Sequence, residues 1–253
     1  MKNRFVLAFV LMTCGFAYGA DVAGEEVTYA SDDEQVHARL FIPEAKKPLP
    51  TIVVIHEWWG LNDWVKEQAQ KFAAQGYVTL AVDLYRGKVT TDPSVAHELV
   101  NGVPDDRALR DLRAAVAFLK TQKQVDGRRI GAVGWCWGGD MAQALAENEP
   151  AIAAVAINYG APSTEPAEIK AISPHVLGNY GALDQGIPPQ AVKEFEGKLK
   201  SAGKDVDIKI YPDAGHAFEN PNNKKGYRPA DAADAWQRMT AFFARTLKSA
   251  KNK

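Results

Sequence analysis

The stretch GWCWGG at residues 134–139 constrains the fold more than any other part of the chain. An apolar run precedes it at 129–133 and a run of helical character follows at 140–147, so it predicts a tight turn from a buried strand into a helix. Cys136 stands at the centre, and the glycines two positions before and after it leave room for a strained backbone. This is the pattern of a nucleophile elbow with cysteine in place of serine. A buried, unreactive cysteine in a glycine-rich turn is the alternative interpretation.

Strand and helix patterns alternate along the rest of the chain. Apolar runs at 51–55, 77–82, 151–157, 175–180 and 206–211 predict strands, the first two buried on both faces. Helical patterns occur at 62–75, 105–123, 189–202 and 230–248, and a polar loop is expected at 86–93. Runs at 25–30 and 36–42 predict an antiparallel pair at a sheet edge. This order predicts an α/β fold, with a mostly parallel sheet covered by helices on both faces.

Composition excludes several classes of protein. The chain has 253 residues, of which 46% are apolar and 24% are charged, as is typical of a soluble globular protein. Its net charge is −1 and it has no basic stripe, so nucleic acid is not an expected partner. Neither a dinucleotide-binding glycine fingerprint nor a metal-ligand cluster is visible, so we expect no cofactor and no metal. No repeat or linker interrupts residues 21–253, which we interpret as one domain.

The first 20 residues predict a secretory signal. Lys2 and Arg4 precede an apolar run at 5–12 and a segment rich in small residues, with cleavage expected after Gly19 or Ala20. The apolar run is too short to span a membrane, so we expect an exported, periplasmic protein with no further membrane association. The alternatives are a lipid anchor at Cys14 and a buried N-terminal helix of a cytosolic protein.

The candidate partners of the cysteine follow it in chain order. Removal of the signal leaves Cys136 as the only cysteine, which excludes an internal disulfide. In elbow architectures an acid and then a histidine follow the nucleophile, and Asp184 and His216 each follow a predicted strand and turn. A turn-capping aspartate and a solvated loop histidine are the alternatives. Asp213 is a rival acid, but its position three residues before His216 favours a role in the turn. We interpret the histidines at 37, 56, 97 and 175 as structural, with His56 the least secure of them.

The sequence HEWWG at 56–60 directly follows a predicted buried strand. This loop should face the elbow, so the backbone N–H groups of Trp58 and Trp137 are predicted to form an oxyanion hole. Four of the six tryptophans lie in these two loops, which predicts an aromatic pocket. The other two, Trp64 and Trp236, are interpreted as core packing.

Five motifs occur in a recognisable order: HEWWG at 56–60, DLYRG at 83–87, GWCWGG at 134–139, LGNYGALDQGIP at 177–188 and GHAF at 215–218. Together they resemble the dienelactone hydrolase (carboxymethylenebutenolidase-like) family, the cysteine branch of the α/β-hydrolases. The resemblance covers nearly all of the chain after the signal. It implies an α/β-hydrolase fold and cleavage of a small ester or lactone through a covalent thioester.

The resemblance also implies roles for particular residues. Cys136, Asp184 and His216 match the catalytic triad of the family. Glu57 matches a glutamate that contacts the thiol in the resting site and helps to gate its activation. A carboxylate beside the thiol disfavours a second negative charge, which gives that role a physical basis.

The substrate contacts match the family less well. Arg86 lies near, but not on, the position of an arginine that binds the substrate carboxylate, and we expect it to contact substrate together with Trp59 and Tyr85. A second arginine follows the catalytic histidine in the best-known members, whereas residues 219–221 here are ENP, and Arg228 is a distant substitute. This departure leaves open whether dienelactone itself is accepted.

Two other functions fit parts of the sequence. A catalytically silent α/β-hydrolase could bind a small apolar ligand in the aromatic pocket, but it would have no need of Asp184. A redox sensor acting through Cys136 would need a resolving cysteine, and the mature chain contains none. We therefore expect a monomeric hydrolase whose partner is a small-molecule ester or lactone.

Overall fold

An eight-stranded sheet runs through the centre of the computed structural model, which describes residues 22–173 and 175–249. The strands are β1 (Gly24–Ser31), β2 (Glu34–Phe41), β3 (Leu49–Ile55), β4 (Val78–Asp83), β5 (Val125–Trp135), β6 (Ile152–Asn158), β7 (His175–Gly181) and β8 (Asp205–Tyr211). Their order is β1-β2-β4-β3-β5-β6-β7-β8. Strand β2 pairs antiparallel with both β1 and β4, and the other neighbours are parallel. The predicted fold class and the antiparallel edge pair are therefore confirmed.

Helices cover both faces of the sheet. They are α1 (Asp63–Ala74), α2 (Pro93–Asn101), α3 (Asp105–Thr121), α4 (Trp137–Asn148), α5 (Pro166–Ala171), α6 (Pro189–Ser201) and α7 (Pro229–Phe243), followed by a π-helical turn, Ala244–Lys248. One apolar core contains Leu112 of α3, Leu145 of α4 and Phe195 of α6. The other contains Phe72 of α1 and Phe243 of α7. This layering explains why β3 and β4 are continuous apolar runs, since each strand meets a core on both sides.

The parallel direction of the strands determines where the site can form. Strands β3, β5, β7 and β8 all run the same way, so the loops that follow them meet at one edge of the sheet. Those loops carry the four segments that the sequence singled out. The fold thus brings together residues that are up to 163 positions apart in the chain.

Two helices were missed by the sequence patterns. Helix α2 begins inside the end of the predicted polar loop, with the Asp92 carboxylate accepting from the N–H of Ser94 at 2.8 Å and Pro93 in the first turn. Only Ala96 of α2 is buried, so the helix has almost no apolar stripe to detect. Helix α5 has six residues and buries only Ile169. Helix α2 therefore depends on its cap, and both helices depend on tertiary contacts more than on periodicity.

The predicted secretory signal at 1–20 lies outside the described residues. Among the helices that the structure describes, none is long and apolar enough to cross a membrane.

Candidate active site

Cys136 occupies the turn between β5 and α4, with backbone angles φ +55° and ψ −129°. Its N–H donates to the carbonyl oxygen of Asn158 at 3.0 Å, which ties the turn to β6. A Cβ atom at Gly134 would overlap the carbonyl of Gly138, and one at Gly138 would overlap the carbonyl of His56. Glycine is therefore required at both positions for steric reasons, as the sequence predicted.

His216 and Asp184 form a close pair on the loops after β8 and β7. The Nδ1 atom of His216 lies 2.7 Å from Oδ2 of Asp184. The other oxygen, Oδ1, accepts from the backbone N–H groups of Gly186 at 2.9 Å and Ile187 at 3.2 Å. Burial alone would raise the pKa of Asp184, but the hydrogen bond from His216 and those from the backbone hold it below its usual value. Asp184 is therefore ionised and fixed in orientation.

The same imidazole also contacts the thiol. His216 is hydrogen-bonded to the Cys136 side chain as well as to Asp184. Burial opposes a charge on the ring, but the two hydrogen bonds and the negative charges of both partners raise the pKa of His216 to about 10. The arrangement therefore favours a charged imidazolium at His216 directly beside the thiol. The rival acid Asp213 is exposed, and its backbone carbonyl accepts from Arg228 at 3.0 Å.

Two backbone N–H groups lie in the segments that flank the thiol. Trp137 is the first residue of α4, so its N–H has no acceptor within the helix. Trp58 lies in a turn in which the Gly60 N–H donates to the Glu57 carbonyl at 3.3 Å. These are the two donors that the sequence predicted for an oxyanion hole.

Glu57 is buried close to the thiol and is held by neutral donors. One carboxyl oxygen accepts from Nδ2 of Asn220 at 2.6 Å and the other from the Tyr159 hydroxyl at 3.3 Å. Burial raises the pKa of Glu57 to about 7, although these bonds and the charge of His216 act in the opposite direction. The hydrogen bond of the Cys136 side chain goes to His216, while Glu57 is satisfied by the other two residues.

A second buried carboxyl accompanies Glu57. The Oε2 atom of Glu219 accepts from the indole N–H of Trp135 at 3.0 Å, whereas its Oε1 atom has no protein partner. Burial, with a smaller contribution from the charge of Glu57, raises the pKa of Glu219 to about 8. Sequence reasoning missed Glu219, Asn220 and Tyr159 as site residues, because only the folded loops bring them beside Glu57.

A cavity of about 1150 Å³ opens over Cys136, and we call it the tryptophan cavity. Trp58, Trp59 and Trp64 line one part of it, and His216 and residues of the 220–225 loop line another. The predicted aromatic pocket is therefore present, but a different set of tryptophans lines it. Trp135 and Trp137 turn into the two cores, while Trp64, which the sequence assigned to packing, reaches the cavity and also packs on Trp135.

His56 is a structural residue. The backbone N–H of Leu84 donates to its Nε2 at 3.2 Å, so Nδ1 carries the proton and donates to the Glu57 carbonyl at 2.6 Å. Burial lowers the pKa of His56, which keeps the ring neutral. This residue joins the loop after β3 to the loop after β4. No group of three or more His, Cys, Asp or Glu side chains in residues 22–173 and 175–249 is placed to hold a metal ion.

Comparison with known proteins identifies the family. The model of the dienelactone hydrolase family matches residues 36–247. The chain belongs to this family. A Methylorubrum extorquens protein named "Putative carboxymethylenebutenolidase" is 33% identical over 96% of this chain and 92% of its own length. An Escherichia coli O157:H7 protein of the same name is 31% identical over 90% of this chain and 94% of its own length.

Solved structures agree with the family assignment. A Klebsiella pneumoniae protein described as a "Putative Dienelactone Hydrolase" is 30% identical, with a TM-score of 0.80 over 88% of this chain and 99% of its own. The dienelactone hydrolase family member described here is thus a hydrolase of the carboxymethylenebutenolidase class with the α/β-hydrolase fold. Its substrate is accordingly a small-molecule ester or lactone.

Two of the expected substrate contacts have protein partners in this structure. Arg86 has φ +56°, and its guanidinium pairs with Glu34 at 2.6 Å and with the fully buried Asp111 at 2.7 Å. Tyr85 is buried and its ring stacks on Trp137 with centroids 5.4 Å apart. Neither Arg86 nor Tyr85 lines the tryptophan cavity, and the assignment of both to substrate binding stays a prediction. Trp59 does line it.

Among the described residues, the region after His216 supplies no arginine to the tryptophan cavity. Arg228 donates to the carbonyls of Asp213, Lys225 and Tyr227 and is thereby used in shaping its own loop. Asn220, by contrast, points its amide at Glu57. Among the described residues, no arginine lines the tryptophan cavity.

Proposed function

We propose that this protein hydrolyses its ester or lactone substrate through a Cys136–His216–Asp184 triad and a covalent thioester. The observation that carries the proposal is the continuous connection from Asp184 through His216 to a thiol at a nucleophile elbow. The family supports the reaction class, and this geometry supports the proposed mechanism.

Acylation uses the preformed ion pair. The Cys136 thiolate attacks the carbonyl carbon, and its electron pair forms the C–S bond while the carbonyl oxygen becomes an oxyanion. Collapse of this intermediate expels the alkoxide, which takes the proton from the His216 imidazolium and leaves as an alcohol. Asp184 keeps the Nδ1 proton directed at itself, so the Nε2 atom faces the reaction.

Deacylation reverses the roles of His216. Its neutral imidazole accepts a proton from water, and the hydroxide equivalent attacks the thioester carbonyl. The C–S bond then breaks, the carboxylic acid departs, and Cys136 and His216 return to the ion pair. In both steps the backbone N–H groups of Trp58 and Trp137 would stabilise the oxyanion, and the N-terminal end of α4 adds to the favourable field.

An acyl-enzyme experiment tests this function. The protein is mixed with excess 4-nitrophenyl acetate, and the reaction is quenched in acid within seconds. The mass of the protein is then measured by mass spectrometry, both intact and after proteolysis. We expect one added acetyl group on the peptide that contains Cys136, released by neutral hydroxylamine, together with steady release of nitrophenol. Turnover without an adduct on that peptide, in wild type and under acid quench, would contradict the covalent mechanism.

Glu57 is proposed to gate the thiol. Above pH about 7 its carboxylate is charged, and that charge disfavours a thiolate beside it. Glu57→Gln removes the charge and retains an oxygen that can accept from Asn220. We expect iodoacetamide to alkylate the mature variant faster than wild type at pH 8, with the two rates converging below pH 6, where Glu57 is protonated.

The exposed Glu67→Gln on the outer face of α1 is the matched control, because it removes the same charge away from the site. Its alkylation profile should follow that of wild type. A Glu57→Gln profile that is unchanged, or that is displaced towards higher pH, would refute the gating role.

We also propose that the protein is exported and that its signal is removed after Gly19 or Ala20. The charged, apolar and small-residue regions of the first 20 residues support this proposal. Intact mass of protein purified from its native host should match a chain that begins at Ala20 or Asp21. A mass that includes residues 1–19 would contradict export by this signal.

A further inference from the structure

We infer that the site takes neutral esters that carry a flat aromatic or extended apolar group, and that it rejects esters with a carboxylate close to the scissile carbonyl. This inference rests on the proposed function, since it specifies the substrate class of the same thiol. Three features carry it: the apolar wall of the tryptophan cavity, the location of its cations, and the uncompensated carboxyls beneath the thiol.

The wall of the tryptophan cavity is large and aromatic. Trp58 and Trp59 form a tilted pair with ring centroids 4.8 Å apart, and Leu61 and Trp64 continue the surface. Val89, on the loop after β4, lies across the same opening and is 51% exposed. A small lactone would leave most of this apolar surface in water, whereas a flat ring system would cover it.

The cavity is also larger than a small lactone requires. Its volume of about 1150 Å³ slightly exceeds the usual range of roughly 300–1,000 Å³ for small-molecule sites. The loop after β4 is fixed across it, because the Thr90 N–H donates to the Trp59 carbonyl at 3.1 Å. The space is therefore held open by backbone contacts and belongs to the resting site.

The lysine side chains that line the cavity are not placed to pair with a buried carboxylate. Besides His216, the cationic side chains lining it in the described chain belong to Lys66, Lys224 and Lys225. Lys224 and Lys225 are exposed, and Lys66 lies 3.6 Å from Asp63. Solvated lysines attract a distant anion weakly and do not give the buried pairing that a desolvated carboxylate needs.

The carboxyl group of Glu57 lines the cavity together with the thiol. The His216 imidazolium is hydrogen-bonded to both Asp184 and Cys136, so it is not left to hold an anionic substrate. Glu57 has no cation of its own, since its partners Asn220 and Tyr159 are neutral donors.

The charges of the groups around Glu57 also disfavour a substrate carboxylate. Glu219 adds a second carboxyl from the loop after β8, and its charge and that of Glu57 disfavour each other. Tyr159 carries no charge, because burial raises its pKa well above the usual value. Within the part of the chain that the structure describes, His216 is the cation whose charge favours ionised Glu57, and it is already shared between Cys136 and Asp184. A substrate carboxylate within a few bonds of the carbonyl would be desolvated here without a partner.

The charge test uses two substrates of the same shape. Mono-2-naphthyl succinate carries a carboxylate, and 2-naphthyl succinamate carries a neutral amide at the same place; naphthol release is measured with the uncatalysed rates subtracted. We expect kcat/KM to be about tenfold or more higher for the amide at pH 8. The ratio should fall at pH 6, where Glu57 is protonated and the succinate is still charged.

Matched variants test which residues cause the charge preference and the aromatic preference. Glu57→Gln should lower the amide-to-acid ratio at pH 8, and the exposed Glu67→Gln should not. For the aromatic wall, Trp59→Leu should reduce the preference for 2-naphthyl acetate over ethyl acetate severalfold. Trp236→Leu, which alters a tryptophan packed on Phe72 away from the cavity, should retain that preference.

The possible outcomes distinguish failure of this inference from failure of the proposed function on which it rests. Equal or faster turnover of the succinate through an acylated Cys136, or an unchanged preference in Trp59→Leu, would overturn the substrate class alone. Failure of every ester to acylate Cys136 would overturn the proposed function, and this inference with it.

Discussion

Cys136→Ala is expected to reduce ester turnover by roughly 10⁴- to 10⁶-fold while leaving the fold intact. The loss is large because the variant removes the covalent step, and His216 and the oxyanion donors then have no nucleophile to assist. Residual hydrolysis would come from binding and the oxyanion hole acting on water. The measurement is kcat/KM for an aryl ester, followed beside thermal unfolding of the same sample.

The stability expectation has its own physical basis. Cys136 is half-buried, and alanine at φ +55° experiences the same backbone strain as cysteine does. We therefore expect the free energy of unfolding to change by less than about 1 kcal/mol.

Cys136→Ser is the shape-matched control. A hydroxyl holds its proton at neutral pH, so the pKa of His216 should fall once the thiolate no longer stabilises the imidazolium. Near wild-type turnover in the alanine variant, with a normal melting curve, would show that Cys136 is not the nucleophile.

The fold could be predicted because its strongest signals are local. Strands β3 and β4 are buried on both faces, so their sequences are nearly continuous apolar or β-branched runs that stand out from the polar segments around them. The elbow was predictable for a similar reason, since overlap with neighbouring carbonyls permits only glycine two positions either side of Cys136. Helix α2 was missed because an exposed helix has no need of an apolar stripe.

The site could be predicted only in part. Chain order identified Asp184 and His216, because strand ends in parallel sheets converge at one edge. Chain order carries no information on which way a side chain turns at a strand end. Trp135, the last residue of β5, turns into the core, whereas Trp64 reaches the cavity from α1.

The ion pairs of Arg86 show the limit of reasoning from a motif. DLYRG fixes the backbone, because the Asp83 carboxylate accepts from the N–H groups of Tyr85 and Gly87. The arginine is instead directed at Glu34 and at Asp111, a fully buried carboxylate on α3 whose other cationic partner, Arg110, lies farther away at 3.5 Å. Nothing within the motif itself indicates those partners.

His216→Ala and Asp184→Asn are each expected to reduce turnover strongly, and their effects are expected not to be additive. Loss of His216 removes both the general base and the stabilising charge beside the thiolate, so turnover should fall by roughly 10⁴- to 10⁶-fold. Asp184→Asn leaves a ring near the thiol, but without the carboxylate its tautomer and its charge are no longer fixed, and a loss of roughly 10³- to 10⁴-fold is expected. Pre-steady-state acylation rates are the measurement.

The double variant decides whether the two residues act together. Once His216 is absent, Asp184 has no ring to orient, so adding Asp184→Asn should cost little more than His216→Ala alone. Asp213→Asn is the matched control, because this exposed acid lies three residues from His216 and its side chain takes no part in the connection to the thiol. A double-variant loss equal to the product of the single losses would mean that Asp184 contributes independently of His216. The 2.7 Å contact between them would then stabilise the loop without orienting the base.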